Sequence, residues 1–267
     1  MARRLYSPTE KGRIMRLRLF LGLGAILALT VVGSTALAKA PGGYTCSGGA
    51  IPGGTYTGLT VTGNCLFGGD VSVNGNVTVA DGALLNDHAF SFAAHVLITG
   101  NVKVGKGAVL GLGKYGAPGI KTDTTVGGNI VANQPLSLYL SGITVHGNVI
   151  SNGGGGGPTG EFRNFPTKDN RVDGNLIIQG WTGGWLGVIR DSVGGNAIVS
   201  KNTSVLTEAG PGVDLDSNEV QTNVISGNLI CHGNTPAAQV NVLDGGELNA
   251  VGGKGIGECT TLTKPLS

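Results

Sequence analysis

Two residues that could do acid–base chemistry, His146 and Asp173, each come directly before a Gly-Asn pair. A histidine held by a carboxylate can serve as a general base or contact a substrate. If the Gly-Asn pairs mark equivalent positions of stacked β coils, the two side chains lie on consecutive coils, about 4.8 Å apart. The alternative interpretation is two polar residues that share a solvated face.

A second candidate site lies in the stretch "GWTGGWLGVIRD", which holds both tryptophans of the chain, Trp181 and Trp185, with Arg190 close behind. Tryptophan combines a large apolar ring with a polar tip, so an exposed ring can stack on a sugar. These three residues are therefore predicted to form a glycan-binding platform. The alternative is that the tryptophans pack against the end of a coil or under a loop.

Oxygen ligands for calcium are offered by "DLDSNE", in which Asp214, Asp216 and Glu219 are close in sequence. Carboxylates suit calcium, but the glycine-bearing twelve-residue calcium loop is missing, and an acidic outer face explains the stretch equally well. Apart from calcium, no cofactor is predicted. The chain has no phosphate loop, nucleotide motif or zinc-ligand spacing.

Eight of the Gly-Asn pairs in the chain are flanked by alternating apolar residues and organise these candidates, with the asparagines at 64, 76, 101, 129, 148, 175, 196 and 228. Their mean spacing is about 23 residues, and apolar residues alternate with polar ones around each pair. A period in the twenties with strand-like alternation predicts a solenoid in which each repeat is one coil. The alternative, a type I′ hairpin turn at each pair, predicts an antiparallel meander.

The alternation continues through each pair, which places the glycine on the inward parity and the asparagine outward. We therefore expect a bend at the glycine, where a Cβ would crowd the inside of a corner, and an asparagine ladder between coils. The first pair, with Asn64, follows a short gap and is assigned to a capping element. The predicted corner residues are Gly75, Asn76, Gly100, Asn101, Gly128, Asn129, Gly147, Asn148, Gly174, Asn175, Gly195, Asn196, Gly227 and Asn228.

The residue two positions after the asparagine should also face outward, yet in five later copies it is aliphatic: Val131, Ile150, Ile177, Ile198 and Ile230. An exposed aliphatic row is unusual on a monomer. Three interpretations stay open. A loop covers the row, the parity slips so that the row faces inward, or the row binds a partner or a second copy of the chain.

Charge is distributed unevenly, because seven of the 18 Lys and Arg residues, but only one acidic residue, precede position 41. The remaining 11 basic residues face 15 acidic ones, which argues against nucleic-acid binding. The basic start and the following run "LGLGAILALTVVGSTALA" predict a signal peptide over 1–38, with Met15 as an alternative start. The alternative is an uncleaved anchor, the one membrane contact predicted. Either way the rest of the chain lies outside the cytoplasm, secreted or associated with the cell surface.

Four cysteines follow the predicted cleavage site, and an even number in an exported chain indicates two disulfides. Three pairings are open, and grouping along the chain favours Cys46 with Cys65 and Cys231 with Cys259. The predicted organisation is an N-terminal cap over 39–68, coils over 69–231 with a glycine-rich insertion over 151–170, and a C-terminal closure over 232–267. The fold class is all-β, a single-domain right-handed parallel β-helix with disulfide-tied end segments.

The pattern resembles the right-handed parallel β-helix of the pectin-lyase-like kind over most of 59–231. The ends, "YTCSGGAIPGGTYTGLTVTGNC" and "NVISGNLICHGNTPAAQ" followed by "GGKGIGEC", are similar to a group of exported bacterial β-helix proteins without an assigned activity. Polygalacturonases and pectate lyases share the fold, but their "NTD", paired Asp-Asp, "GHG" and "RIK" signatures are missing here. Likeness of fold alone transfers no chemistry.

Three functions remain as hypotheses. The first is an exported structural or surface-presenting β-helix without catalytic activity. The second is a protein that binds cell-envelope glycans or degrades polysaccharide as a lyase or glycoside hydrolase. The third is a self-assembling, bactofilin-like scaffold, which the export signal and the cysteines argue against.

Overall fold

The computed structural model describes residues 42–87, 95–114, 118–156, 164–205, 217–242 and 245–267. These residues all belong to one compact unit, 38–267. The predicted signal peptide lies outside the described residues, as do Asp214 and Asp216 and part of the glycine-rich insertion. No helix in the described part of the chain is long and apolar enough to cross a membrane.

Three long parallel sheets contain nearly all of the described strands. Sheet A contains β1 Gly43–Cys46, β4 Gly58–Val61, β7 Val77–Val79, β10 Val102–Val104, β13 Ile130–Asn133, β16 Val149–Asn152, β19 Leu176–Gln179, β23 Ala197–Ser200, β27 Leu229–His232 and β29 Gly255–Gly257. Sheet B contains β2 Gly49–Ile51, β5 Asn64–Phe67, β8 Leu84–Asn86, β11 Val109–Gly113, β14 Ser137–Ser141, β17 Phe165–Lys168, β21 Leu186–Ile189 and β25 Asn218–Gln221. Sheet C contains β3 Gly54–Tyr56, β6 Val71–Val73, β9 Val96–Ile98, β12 Thr125–Val126, β15 Thr144–Val145, β18 Arg171–Val172, β22 Ser192–Val193, β26 Val224–Ile225, β28 Asn249–Val251 and β30 Thr263–Pro265.

Smaller elements complete the description. Strands β20 Thr182–Gly183 and β24 Thr203–Ser204 form a two-stranded parallel sheet, and a 3₁₀ helix spans Glu258–Thr261. In each long sheet the neighbours along the sheet come from successive coils, as in the order β4-β7-β10-β13 of sheet A. The chain therefore winds through the three sheets in turn, and the predicted parallel β-helix is confirmed. The antiparallel meander is wrong, because every long-sheet pairing is parallel.

Alternation within each short strand builds the core. In β10, Val102 and Val104 are buried while Lys103 between them is exposed, and the strands on either side repeat the arrangement in register. Successive side chains of a strand point to opposite faces, so one set from every coil stacks inside the helix. Burying stacked Val, Ile and Leu side chains supplies the main stabilisation, roughly 1.5–3 kcal/mol for each one fully removed from water.

Both ends of the described helix differ from the predicted organisation. Strands β1 to β5 pair in register with the following coils, so residues 43–67 form the first coils of the helix and not a separate cap. At the other end β28, β29 and β30 continue sheets C and A beyond residue 232. The coils therefore extend beyond both predicted boundaries, because the end segments alternate weakly yet still pair along the backbone.

The two disulfides join Cys46 to Cys65 and Cys231 to Cys259, which confirms the predicted pairing. All four cysteines are buried in the core. Cys46 belongs to sheet A and Cys65 to sheet B, so this bond crosses the interior between two sheets near one end of the helix. Two buried disulfides are what an oxidising, extracytoplasmic compartment favours.

Candidate functional site

Seven of the eight predicted Gly-Asn pairs lie at the corner between sheets C and A, on consecutive coils. The side-chain Oδ1 of Asn129, for example, accepts hydrogen bonds from the backbone N of Asn148 at 2.8 Å and from its Nδ2 at 2.9 Å. The same bonds join each asparagine from Asn76 to Asn228, and the ladder continues to the backbone N of Lys254. This outer ladder sets the register of the candidate site.

The eighth pair, Gly63-Asn64, lies elsewhere. Asn64 begins β5 of sheet B and pairs with Leu84, so it takes no part in the outer ladder. Thr62, which precedes this pair, bonds through its backbone N to Cys46 O within sheet A. The dipeptide alone therefore does not identify the corner.

The glycines of the outer ladder are needed for a reason other than the predicted one. A Cβ on Gly147 would lie 2.6 Å from both Asn129 Oδ1 and Gly128 O. The collision is therefore with the preceding coil of the ladder, not with side chains crowded inside the corner. None of these ladder glycines is among the residues with positive φ. Close approach of one coil to the next excludes a side chain there, and unusual backbone angles play no part.

The His146 and Asp173 side chains meet at this corner. His146 Nδ1 lies 2.7 Å from Asp173 Oδ2, and Arg171 Nε donates to Asp173 Oδ1 at 2.8 Å. The backbone N of His146 bonds to Val126 O and that of Asp173 to Val145 O, so the two residues occupy the same position of consecutive coils. The outer ladder thus brings together two side chains 27 residues apart in sequence.

This polar cluster of His146, Asp173 and Arg171 is open to solvent. The side chains of His146 and Asp173 are 53% and 33% exposed, and that of Arg171 is 66% exposed. Hydrogen bonds from His146 and then Arg171 lower the pKa of Asp173, so this carboxyl group stays ionised and is not a proton donor near neutral pH. With Nδ1 facing the carboxylate, the other imidazole nitrogen can accept a proton or a hydrogen bond from a bound molecule.

The predicted tryptophan platform is wrong for Trp181. That side chain is fully buried, stacks edge-on against Phe165 and donates from Nε1 to Leu136 O at 3.2 Å. Trp185 is half-buried, and its ring lies 4.7 Å from Lys168 Nζ. Its ring also leaves no room for a side chain at Gly187. A sugar would need an exposed aromatic face. The ring of Trp181 is removed from solvent, and the ring of Trp185 is covered in part by Lys168.

The Arg190 side chain forms an ion pair that links two coils, so it does not extend toward a ligand. Its Nε and one terminal nitrogen donate to the two oxygens of Asp169 at 2.8 and 2.9 Å, and Asp169 is buried. Two parallel bonds of this kind fix the guanidinium plane. Arg190 is close to the tryptophans in sequence, but its partner Asp169 comes from the preceding coil.

The calcium hypothesis is only partly within the described chain. Glu219 is buried in β25 of sheet B, where Asn241 Nδ2 donates to its Oε1 at 3.0 Å. Across the described residues, no group of three or more His, Cys, Asp and Glu side chains is arranged to hold a metal ion. Calcium at Asp214 and Asp216 stays a prediction.

The aliphatic row faces outward, so the slipped parity is wrong. Val131, Ile150, Ile177, Ile198 and Ile230 are direct neighbours on successive strands of sheet A, and Ile256 of β29 extends the row. The two ends, Val131 and Ile256, are 38% and 37% exposed. The four residues between them are half-buried, because each has an aliphatic neighbour on both sides. We call these six residues the aliphatic row.

No family model matches the chain, and searches of curated proteins and of solved structures returned no match. The likeness to pectin-lyase-like exported proteins therefore stays a prediction from the sequence. What the chain does has to be argued from the geometry of its own surfaces.

Sequence reasoning missed a second set of ladders, inside the helix. At the corner between sheets B and C, side-chain oxygens of Asn170, Asp191, Asn223 and Asn249 each accept from the backbone N of the residue in the preceding coil. At the corner between sheets A and B, Asn202 and Asn234 do the same, and Glu258 accepts from Asn234 at the end. These inner ladders satisfy backbone donors at turns that are closed to water.

A sequence signal for the inner ladders did exist. Several of their members follow a residue in the left-handed region, with φ of 59° at Asp169, 57° at Lys201 and 60° at Thr222. At the corner between sheets B and C the dipeptides Asp169-Asn170, Arg190-Asp191 and Thr222-Asn223 follow one another at solenoid-like separations of 21 and 32 residues. No single dipeptide repeats, so the pattern is hidden unless the coils are already aligned.

Proposed function

We propose that this protein is an exported, non-catalytic β-helix that presents the flat outer face of sheet A to a partner. The observation that carries the proposal is the aliphatic row, which stays in register over six coils. Apolar side chains aligned on an outer surface are typical of interaction sites.

The surroundings of the row support the same function. On one side lies the outer ladder, whose asparagines bond to one another along the helix axis. On the other side lie Asn133, Asn152, Gln179 and Ser200, which are uncharged and adjacent in the sheet. The face is therefore apolar in the middle and bordered along most of its length by uncharged polar side chains, with His232 beside Ser200 and Lys254 after Asn228 at one end. Hydrogen bonds between coils hold it rigid.

Thiol labelling tests whether this face is open. In the full chain the four cysteines are paired, so an Ile198→Cys variant carries a single reactive thiol. We expect a small maleimide to modify it at a rate within about tenfold of Val224→Cys, a control on the outer side of sheet C where Val224 is 45% exposed. Protection of Ile198→Cys in the monomer, with Val224→Cys reactive, would show a covered face and overturn the proposal.

A second function, binding or cleavage of an envelope polysaccharide, is favoured by the polar cluster alone. The 2.7 Å contact between His146 and Asp173 orients an imidazole toward solvent, and Arg171 beside it suits an acidic sugar. The buried Trp181 removes the stacking surface from this hypothesis.

A panel of acidic and neutral polysaccharides tests the second function. We expect no turnover by the wild-type chain, because the cluster lies on a solvated outer face and not in a cleft that excludes water from a bound sugar. Turnover that falls by about 100-fold or more in His146→Ala, with a Ser192→Ala control unchanged, would replace the non-catalytic proposal with the enzymatic one. Binding without turnover that is lost in the same variant would assign a glycan ligand to the polar cluster.

A further inference from the structure

We propose that the partner of the aliphatic row is a second copy of this chain, which packs face to face across sheet A with the two helix axes antiparallel. This inference rests on the proposed function, since it names what the open face binds. It differs from end-to-end assembly of a bactofilin-like scaffold, because the sheet edges take no part.

Self-complementarity is the first argument. A two-fold axis lying in the interface and running along the strands reverses the order of the row in the partner. Val131 then packs opposite the partner's Ile256, and Ile177 opposite the partner's Ile198. Because both rows have the same uniform spacing of about 4.8 Å, each side chain stays opposite a partner side chain along the whole contact.

Charge selects the antiparallel arrangement. The row is preceded in sheet A by Lys103, which is exposed and pairs directly with Val131. If the two axes were parallel, each Lys103 would face the same residue of the partner, and like charges placed opposite one another are unfavourable. In the antiparallel arrangement Lys103 extends past the last aliphatic residue of the partner, so no cation faces a cation along the row.

The size of the face predicts how strong the contact is. Six coils at about 4.8 Å and strands of four residues at about 3.3 Å give a patch of roughly 29 by 13 Å. Two such patches bury roughly 750 Å², below the range of stable specific interfaces and in the range of weak, transient contacts. We therefore expect a reversible dimer with a Kd of roughly 10 to 100 µM, not an obligate one.

Other partners fit the face less well. A glycan is usually bound by exposed aromatic rings, and the described outer face of sheet A presents none within the row. An anionic membrane surface attracts clusters of Lys and Arg, whereas the rows on both sides of the aliphatic row are neutral over most of their length. A second copy of this chain presents the same largely uncharged surface and needs neither aromatic rings nor basic clusters to bind it.

Sedimentation velocity of the full chain, from about 1 µM to about 1 mM, tests the dimer. We expect the average mass to rise from the 26.8 kDa of one chain toward twice that value. Ile198→Lys places a charge at the centre of the contact and should weaken association by at least about tenfold. Val224→Lys makes the same change on the outer side of sheet C and should leave association unchanged.

The outcomes separate this inference from the proposed function. A monomer at every concentration, with Ile198→Cys still labelled, overturns the second copy as partner and leaves the open face. Protection of Ile198→Cys in a monomer overturns both. Association that survives in Ile198→Lys, while that variant and Val224→Lys melt at the same temperature, shows a different interface and also overturns the inference.

Discussion

Asp191 belongs to the inner ladder at the corner between sheets B and C, where the neighbouring coils have asparagine, Asn170 and Asn223, at the same position. It is fully buried, and its Oδ1 accepts from the backbone N and the Nδ2 of Asn170. Its Oδ2 has no hydrogen-bond partner of normal geometry, although the Thr167 hydroxyl is near, because that hydroxyl donates to Gly187 O. Burial raises the pKa of Asp191 to about 7, against the opposing effect of the hydrogen bonds from Asn170.

The neighbouring coils explain what this side chain lacks. Asn170 and Asn223 use Nδ2 to donate to the carbonyl oxygens of Leu140 and Val188. In sheet B, Thr167 lies between those two residues, so its carbonyl is the corresponding acceptor for Asp191. An ionised carboxylate cannot donate there, whereas a protonated carboxyl group or an asparagine can.

Asp191→Asn should therefore stabilise the protein at alkaline pH. The folded-state pKa lies above the unfolded value of 3.8, so the wild type loses stability as the pH rises between about 4 and 7. We expect the variant to lack this loss and to gain on the order of 2 to 4 kcal/mol in unfolding free energy at pH 8. Urea unfolding at pH 5 and pH 8 measures both.

Asp81→Asn is the control for this prediction, because Asp81 is an exposed carboxylate that also accepts from a backbone N, that of Lys106. It should leave the pH dependence unchanged. Parallel curves for the wild type and Asp191→Asn would show that Asp191 is ionised in the folded protein below pH 5, contrary to this account.

At the scale of elements, the outer ladder is what holds the coils of sheets C and A in register. Each asparagine side chain from Asn76 to Asn196 accepts two hydrogen bonds from the next coil. From Gly100 onward, each glycine backbone N also donates to the glycine carbonyl of the preceding coil, as Gly147 does to Gly128 at 3.1 Å. The corner is thus fastened by both main chain and side chain. Short strands of two to five residues would have little to fix their register without it.

Asn148→Ala should cost about 1 to 3 kcal/mol, since it leaves the backbone N of Asn175 without its acceptor in a partly buried position. Asn152→Ala removes an exposed contact with Gln179 on the next strand of sheet A and should cost less than about 0.5 kcal/mol. Midpoints of urea unfolding, compared at equal slope, measure the difference. Equal costs for the two variants would show that the hydrogen bonds of the outer ladder do not stabilise the fold more than an exposed side-chain contact does.

For the whole molecule, stability in a solenoid depends on contacts between neighbouring coils, so the ends are the places where unfolding can begin. The two disulfides lie near those ends and lie inside the core. Closing loops of 19 and 28 residues, each stabilises the folded state by about 3 kcal/mol. The rigidity that a presented surface needs therefore comes from covalent bonds at the ends and ladders along the sides.

Particular residues show how far the sequence alone reached. Alternation around Val102 and Val104 predicted strands with one buried face, because side chains of a strand alternate with a period of two. The spacing of the Gly-Asn pairs predicted parallel coils. It also predicted the contact between His146 and Asp173, because both residues hold the same position relative to a pair. The outward direction of Ile177 and Ile198 followed from the same parity, and the pairing of the strands then decided against a slip.

Only the tertiary structure showed that Trp181 is buried, that Asn64 lies outside the outer ladder, and that the inner ladders exist. Trp181 is buried because Leu136 and Phe165, which are 45 and 16 residues away, meet it on other coils. Asn64 has the same dipeptide as the ladder members but lies on another sheet. Local pattern determines which face of a strand a residue occupies, whereas the lengths of the turns determine which residues of different coils come together, and no repeat in the sequence records those lengths.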